Sequence, residues 1–207
     1  PKGLDAMWDS GAGHINRLIP HRTMFLKQAE KIMSLERDFS NLTDTKLRDK
    51  AKELQQIFRC KKDIPAHLDQ AFALVREVAS RKIGESPFLV QVVGALAINQ
   101  GCVAEMATGE GKTLAATMAV TVAGWRGKGC HVITVNDYLA KRDADWMRPI
   151  YRFCGLNVSY IEQDMSSQER RQAYDADITY CTNKEVTADF LRDRLQMGSL
   201  RGLGSTL

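Results

Sequence analysis

The sequence predicts an α/β fold: a mostly parallel sheet flanked by helices, preceded by an N-terminal helical extension. Three observations carry that prediction. Apolar residues recur at helical spacing up to about residue 86. From Pro87 onward, short β-compatible runs alternate with helical patterns, which is the order of βαβ units and parallel strands. Between one such run and the helix after it lies the glycine-rich run Thr108-Gly109-Glu110-Gly111-Lys112-Thr113. The chain therefore divides into residues 1–86, an extension expected to pack on the second part, and residues 87–207, the α/β part.

The elements follow in order. Residues 1–20, with Gly3, Gly11, Gly13 and Pro20, read as irregular. Phe25, Ala29, Ile32 and Leu35 fall on one side of a helix over 23–38. Thr43 is the expected N-cap of a helix over 44–59, whose apolar positions are Leu47, Ala51, Leu54 and Ile57/Phe58. A polar linker ending in Pro65 leads to a helix over 66–83, with Leu68, Ala71, Phe72, Val75, Val78 and Ala79 in register and Gly84 closing it. Beyond Pro87 come a helix over 89–98, a strand over 102–106, the glycine-rich run, and an apolar helix carrying Leu114, Met118, Val120, Val122 and Trp125. Strands over 131–135, 156–160 and 177–180 alternate with helices over 138–152, 166–174 and 183–195. Ligands of such sheets bind beyond the carboxyl ends of the strands. The glycine-rich run, Asn136-Asp137 and Thr182-Asn183 lie at three of those ends.

Composition narrows the function. The net charge is +4 over 207 residues, and basic pairs such as Lys141-Arg142 and Arg170-Arg171 alternate with acids. That is the pattern of solvated helix faces rather than of a nucleic-acid stripe, so no nucleic-acid partner is expected. The five cysteines (Cys60, Cys102, Cys130, Cys154, Cys181) lack C-x-x-C spacing, and the four histidines lack metal-ligand spacing. Free thiols and a reducing, cytosolic setting are expected, with Cys102, Cys130 and Cys181 as small buried apolar residues. The longest apolar stretches are broken by Gly94 and Asn99, so none reads as a membrane span, and the N-terminus lacks the pattern of a secretory signal.

The glycine-rich run has the chemistry of a phosphate cradle. Glycines let backbone N–H groups approach phosphate oxygens with no Cβ in the way. Lys112 brings a positive charge to the β- and γ-phosphates, and the Thr113 hydroxyl suits a Mg²⁺ shell. The helix that starts there adds its N-terminal dipole. The strict pattern G-x-x-x-x-G-K-[ST] wants glycine at position 106, where this chain has Met106; the shorter T-G-x-G-K-T form remains. A nucleoside triphosphate with Mg²⁺ is thus the expected ligand, with Lys112 and Thr113 as catalytic groups and Thr113 as the metal ligand.

Three longer segments sharpen this: Ala104 to Leu114, Val135 to Asp143, and Ala176 to Asn183 followed by Leu191-Arg192-Asp193. In content, order and gaps they resemble the first nucleotide-binding domain of the bacterial SecA-type preprotein translocase ATPases. Leu42 to Gly84 resembles the N-terminal part of the same family, so the resemblance covers about 40–205. It implies a P-loop NTPase fold, RecA-like and of helicase type. It implies that Thr108, Gly109, Glu110, Gly111, Lys112, Thr113 and Leu114 hold the nucleotide phosphates and Mg²⁺. Gln91 takes the place of the glutamine that reads adenine, 21 residues before Lys112, and Phe88 that of a residue packed near the base. Read without the resemblance, Gln91 is an exposed helix residue. Asn136-Asp137-Tyr138 and Thr182-Asn183 resemble motifs that couple nucleotide state to movement, although Asn136 and Asp137 equally read as the N-cap of the following helix, and that local role is the one favoured for the Asp137 side chain.

The family resemblance further implies a motor that couples ATP binding and hydrolysis to moving preproteins across a membrane. Its partners would be a SecYEG-like translocation channel and unfolded preproteins, with peripheral contact to membrane lipids. Its place would be cytoplasmic, peripherally associated with the inner membrane. The chain also departs from the family pattern. Ala107 stands where the family usually has an arginine beside the nucleotide, which implies a weakened or retuned site. Leu89 stands for the aspartate of F-D-x-Q, and Val186, Thr187 and Ala188 replace a glycine and aromatics. The family's acidic D-E-x-D segment (Walker B) is absent from the 207 residues. The expectation is an incomplete nucleotide-binding domain with very weak nucleotide binding and essentially no turnover. Such a chain is either an excised piece of a longer motor or a short paralogue, and Pro1 in place of methionine favours the piece. Two other readings stand beside it. A superfamily-2 nucleic-acid helicase fragment would share T-G-x-G-K-T and the upstream glutamine. Val135-Asn136-Asp137-Tyr138-Leu139 and Cys181-Thr182-Asn183 disfavour it, standing where DEAD-box helicases carry P-T-R-E-L-A and T-P-G-R. The other is a SecA-like module that binds partners without catalysis.

Overall fold

A computed structural model describes residues 21–204, and side chains over 22–195. The irregular segment expected over 1–20 lies outside the described residues. The helical part begins with α1 (His21–Ser34), α2 (Glu36–Ser40), α3 (Asp44–Arg59) and α4 (Pro65–Ile83). The single helix expected over 23–38 is thus two. The backbone tightens at Leu35, whose N–H bonds Ile32 O at 3.1 Å and whose carbonyl accepts Asp38 N–H at 3.0 Å. These i→i−3 bonds interrupt the α-ladder and swing Phe39 into the core. The Thr43 hydroxyl caps α3 by accepting Lys46 N–H, and Gly84 closes α4 in the left-handed conformation, φ +74°, both as the sequence predicts.

The α/β part runs α5 (Leu89–Asn99), α6 (Lys112–Trp125), β1 (Cys130–Thr134), α7 (Asp137–Phe153), β2 (Val158–Tyr160), α8 (Ser167–Tyr174), β3 (Ile178–Thr182) and α9 (Asn183–Gly204). The sheet is parallel with order β1-β3-β2. Cys130 pairs with Ile178 through to Thr134 with Thr182, and Val158 with Ile178 through to Tyr160 with Tyr180. Every residue of the central strand β3 is buried, while β1 alternates between half-buried and exposed. β3 is paired on both sides, so even its Thr179 and Thr182 are buried, whereas β1 lies at the sheet edge.

The strand expected over 102–106 is absent from this sheet. The period-2 pattern survives in burial: Cys102, Ala104 and Met106 are half-buried, while Glu105 is exposed and Val103 is 98% exposed. What is missing among the described residues is a ladder partner, and backbone pairing is what makes an extended run a strand. Side-chain packing positions the segment. The Met106 sulfur lies only 3.0 Å from where a Cβ on Gly94 would stand, so Met106 sits directly on α5.

One apolar core runs from Phe25 and Ile32 in the first helix to Ile178 and Tyr180 in the sheet. Trp125 is fully buried within it. Its ring stacks on Phe58 of α3 at 5.9 Å between centroids, and its indole N–H donates to the Cys154 carbonyl at 2.9 Å. That one side chain links the helical part, the end of α6 and the end of α7. The five cysteines are free thiols; Cys154 and Cys181 are buried, Cys102 and Cys130 only half-buried, and Cys60 exposed.

Candidate nucleotide site

The loop from Ala107 to Gly111 is folded by its own residues. Glu110 N–H donates to Ala107 O at 3.3 Å, and the Glu110 carboxylate returns to accept Ala107 N–H at 2.8 Å. Gly109 and Gly111 then take φ of +90° and +73°, the left-handed region that L side chains avoid. Gly111 has a second reason to be glycine. A Cβ there would stand 2.2 Å from Gln91 Nε2, well inside contact distance.

Gln91 is the element that locks loop to helix. It is 7% exposed, so the exposed position that the bare sequence suggested is overturned. Its Oε1 accepts Phe88 N–H at 2.8 Å, closing the first turn of α5. Its Nε2 donates to the Glu110 carbonyl at 2.9 Å. Burial follows from that reach: the amide spans from α5 to the loop, so water cannot surround it. The approach to α5 is fixed in turn by Arg76, whose Nε donates to the Pro87 carbonyl at 2.7 Å while its Nη1 pairs with Glu36 at 3.1 Å. Phe88 emerges beside this turn and is 71% exposed.

The start of α6 is chemically open. Helices α3, α7 and α8 each receive a side-chain cap, from Thr43, Asn136 and Ser166; α6, like α2, α4 and α5, receives none, and its N-cap is Gly111 in left-handed conformation. First-turn N–H groups have no intrahelical acceptor, so an uncapped start presents donors and the positive end of the helix dipole outward. Lys112 is exposed, and among the described residues no hydrogen bond or ion pair engages its ammonium. Thr113, one residue on, is half-buried and directs its hydroxyl at the Asp143 carboxylate, 3.4 Å away. Two glycines in left-handed conformation, free backbone donors, an unpaired ammonium and a hydroxyl therefore converge at one point. Phosphate oxygens fit that donor set, and a Mg²⁺ ion bound to them fits the Thr113 oxygen.

Neighbouring residues diverge from sequence expectation in two places. Of the two N-cap candidates for α7 it is Asn136 that caps, its Oδ1 accepting Leu139 N–H at 2.8 Å. Asp137 does not cap; its carboxylate accepts Gln163 N–H at 3.1 Å and pins the loop after β2. Arg170 is not on a solvated face. It is buried between α8 and α9, paired with Glu185 at 2.6 Å and Asp189 at 3.0 Å, and its remaining N–H groups donate to the carbonyls of Glu162, Gln163 and Met165. A buried guanidinium needs that full set of acceptors. The sequence held a trace of this, since Glu185 and Asp189 are four apart and share a helix face. Asp143 was missed as well, because an Arg-Asp pair inside a charged helix looks like surface.

Behind the loop runs a buried polar seam. Thr117 donates to the Thr113 carbonyl at 2.8 Å, Tyr151 OH approaches Thr117 Oγ1 at 3.5 Å, and the Tyr151 and Tyr180 hydroxyls lie 2.8 Å apart. Burial pushes both phenols well above their usual range, so both stay protonated. Thr182, two residues beyond Tyr180, accepts Glu185 N–H at 3.3 Å and closes the start of α9.

A glycine-turned loop feeding an uncapped helix beside the carboxyl ends of a parallel sheet defines an α/β domain of the P-loop class. Comparison with known families assigns it further: the SecA DEAD-like domain matches residues 17–204, and the chain belongs to that family. It is 47% identical over 169 residues to the protein translocase subunit SecA of Rubrobacter xylanophilus, covering 82% of this chain and 19% of the relative. It is 46% identical over 195 residues to protein translocase subunit SecA 1 of Thermobifida fusca, covering 94% and 20%. A solved structure titled as a hypothetical ATP-dependent RNA helicase from Sulfolobus tokodaii aligns with 57% of this chain and 36% of its own, at 24% identity and a TM-score of 0.49. The chain thus spans about a fifth of the length of the curated relatives it matches. No described helix is long and apolar enough to cross a membrane.

Proposed function

We propose that this chain is the first nucleotide-binding part of a translocation ATPase. Thr108 to Leu114 hold the phosphates of ATP or ADP, Lys112 neutralises charge on the β- and γ-phosphates, and Thr113 contributes its oxygen to Mg²⁺. The observation that carries the reading is the uncapped start of α6, with Gly109 and Gly111 in left-handed conformation and Lys112 unpaired beside it. Gln91 reads adenine with what its internal bonds leave over. A side-chain amide has two N–H donors and two acceptor lone pairs, and one of each is committed to Glu110 and Phe88. The exposed Phe88 ring gives the base an apolar surface.

The SecA names of the relatives support a role in moving preproteins through a membrane channel, with the chain attached peripherally through that channel or through lipid head groups. Hydrolysis needs an acidic pair to hold Mg²⁺ and position water, and the 207 residues contain no D-E-x-D segment. Binding without turnover is therefore the expected behaviour of this chain by itself. The test uses a fluorescent ADP analogue bound to the 207-residue chain. Unlabelled ADP is expected to displace it far better than GDP, and phosphate release from ATP is expected to stay at background. Equal displacement by GDP would remove Gln91 from the base site, and sustained ATP turnover would refute the incomplete-site account.

A further inference from the structure

We infer that Asp143 is a positioning residue for the metal–nucleotide site, acting through the Thr113 hydroxyl; this rests on the nucleotide reading above. Asp143 lies on α7, its side chain 10% exposed. Its Oδ1 takes both Nε and Nη2 of Arg142, at 2.9 and 2.6 Å. Its Oδ2 is left to face Thr113 Oγ1 at 3.4 Å. A carboxylate so far removed from water is costly unless both oxygens find donors, and Thr113 supplies the second.

The other threonines of α6 show why that matters. Thr117 and Thr121 each donate their hydroxyl proton to the carbonyl four residues back, at 2.8 Å, as helical threonines commonly do. Thr113 stands in the first turn, where the residue four back is Gly109 in the loop, and its proton goes to Asp143 instead. A hydroxyl has one proton and two lone pairs. Committing the proton to Asp143 leaves both lone pairs of Thr113 available on the side away from the carboxylate. The 3.4 Å separation is long, as such bonds commonly are before ligand binds. Because α7 is capped by Asn136, two residues beyond the end of β1, the orientation of the Thr113 hydroxyl is keyed to the sheet edge as well as to its own helix.

The experiment titrates ADP, up to millimolar, into the 207-residue chain with Mg²⁺ and again with EDTA. Wild type is expected to bind more tightly with Mg²⁺. Asp143→Ala is expected to cut that Mg²⁺ enhancement about tenfold while leaving affinity in EDTA within about twofold, the usual scale for removing an outer-shell partner. Asp143→Asn, which keeps the shape and an acceptor oxygen, is expected to fall between and serves if the alanine variant does not fold. Thr113→Ala is expected to abolish the enhancement, and adding Asp143→Ala to it to change nothing more. Equal weakening in Mg²⁺ and EDTA, or additive losses in the double variant, would make Asp143 purely structural and overturn the inference. An unchanged Mg²⁺ enhancement in Asp143→Ala would overturn it while sparing the nucleotide reading. Failure of wild type to bind ADP in either condition would overturn both.

Discussion

Gln91 Nε2 stands 2.9 Å from the Glu110 carbonyl and 2.2 Å from the point where a Cβ on Gly111 would lie. The amide of α5 and the bare backbone of the loop therefore fit each other only as they are. Gly111→Ala must both strain a backbone at φ +73° and expel the Gln91 amide. Gly109→Ala bears only the strain of φ +90°, with nothing within 4 Å of its new methyl. Left-handed backbone costs an L-residue roughly 1–2 kcal/mol. A displaced buried amide adds about 1–3 kcal/mol. Urea denaturation is expected to rank Gly111→Ala clearly below Gly109→Ala, and to find Gly111→Ala much less harmful when Gln91 is already alanine. Equal losses for the two glycines would refute the close fit.

The tyrosine pair makes a second prediction. Tyr151→Phe leaves Tyr180 OH buried without its 2.8 Å partner, while Tyr151→Phe with Tyr180→Phe removes both polar groups. Each single change is expected to cost about 1–3 kcal/mol, and the double change less than their sum. Both phenols are raised above the ordinary value of 10.0 by burial, so in alkali the unfolded chain loses these protons before the folded one does. Stability from this source is full below about pH 10 and falls as pH rises beyond it. Denaturation curves should therefore decline more gently in alkali for the double variant; identical declines would contradict the buried pair.

Much of this architecture was legible in the sequence. Helix limits around Thr43 and Gly84 followed from local capping chemistry, and the parallel sheet from the alternation of runs after Pro87. What was not legible depended on contacts far apart in the chain. The 102–106 run has the right alternation for a strand, but pairing is a property of the partner, which periodicity does not record. Gln91 looked exposed because its burial is set by a loop 19 residues later. Arg170 looked solvated because its acids come from α9. At the candidate site, the loop, Lys112 and Thr113 stand out from the order and spacing of one short motif, whereas Asp143 emerges only when α7 is laid against α6.

Cysteine reactivity tests the packing independently. Burial pushes the Cys154 thiol up to about 12 and the Cys181 thiol up to about 11, while Cys60 is exposed. Alkylation at pH 8 under native conditions, followed by peptide mass mapping, is expected to mark Cys60 first and to leave Cys154 and Cys181 until the chain unfolds. Early labelling of Cys154 would mean that the end of α7 is not packed under Trp125 as described.

The run from Thr108 to Thr113 is proposed to be a working phosphate cradle. Isothermal titration of ADP with Mg²⁺ into the 207-residue chain and its Lys112→Ala variant tests it most directly. Weak but saturable binding is expected for the first and a loss of about tenfold or more for the second, as befits a charge-assisted contact to phosphate. Equal affinities, or equal absence of binding, would contradict it.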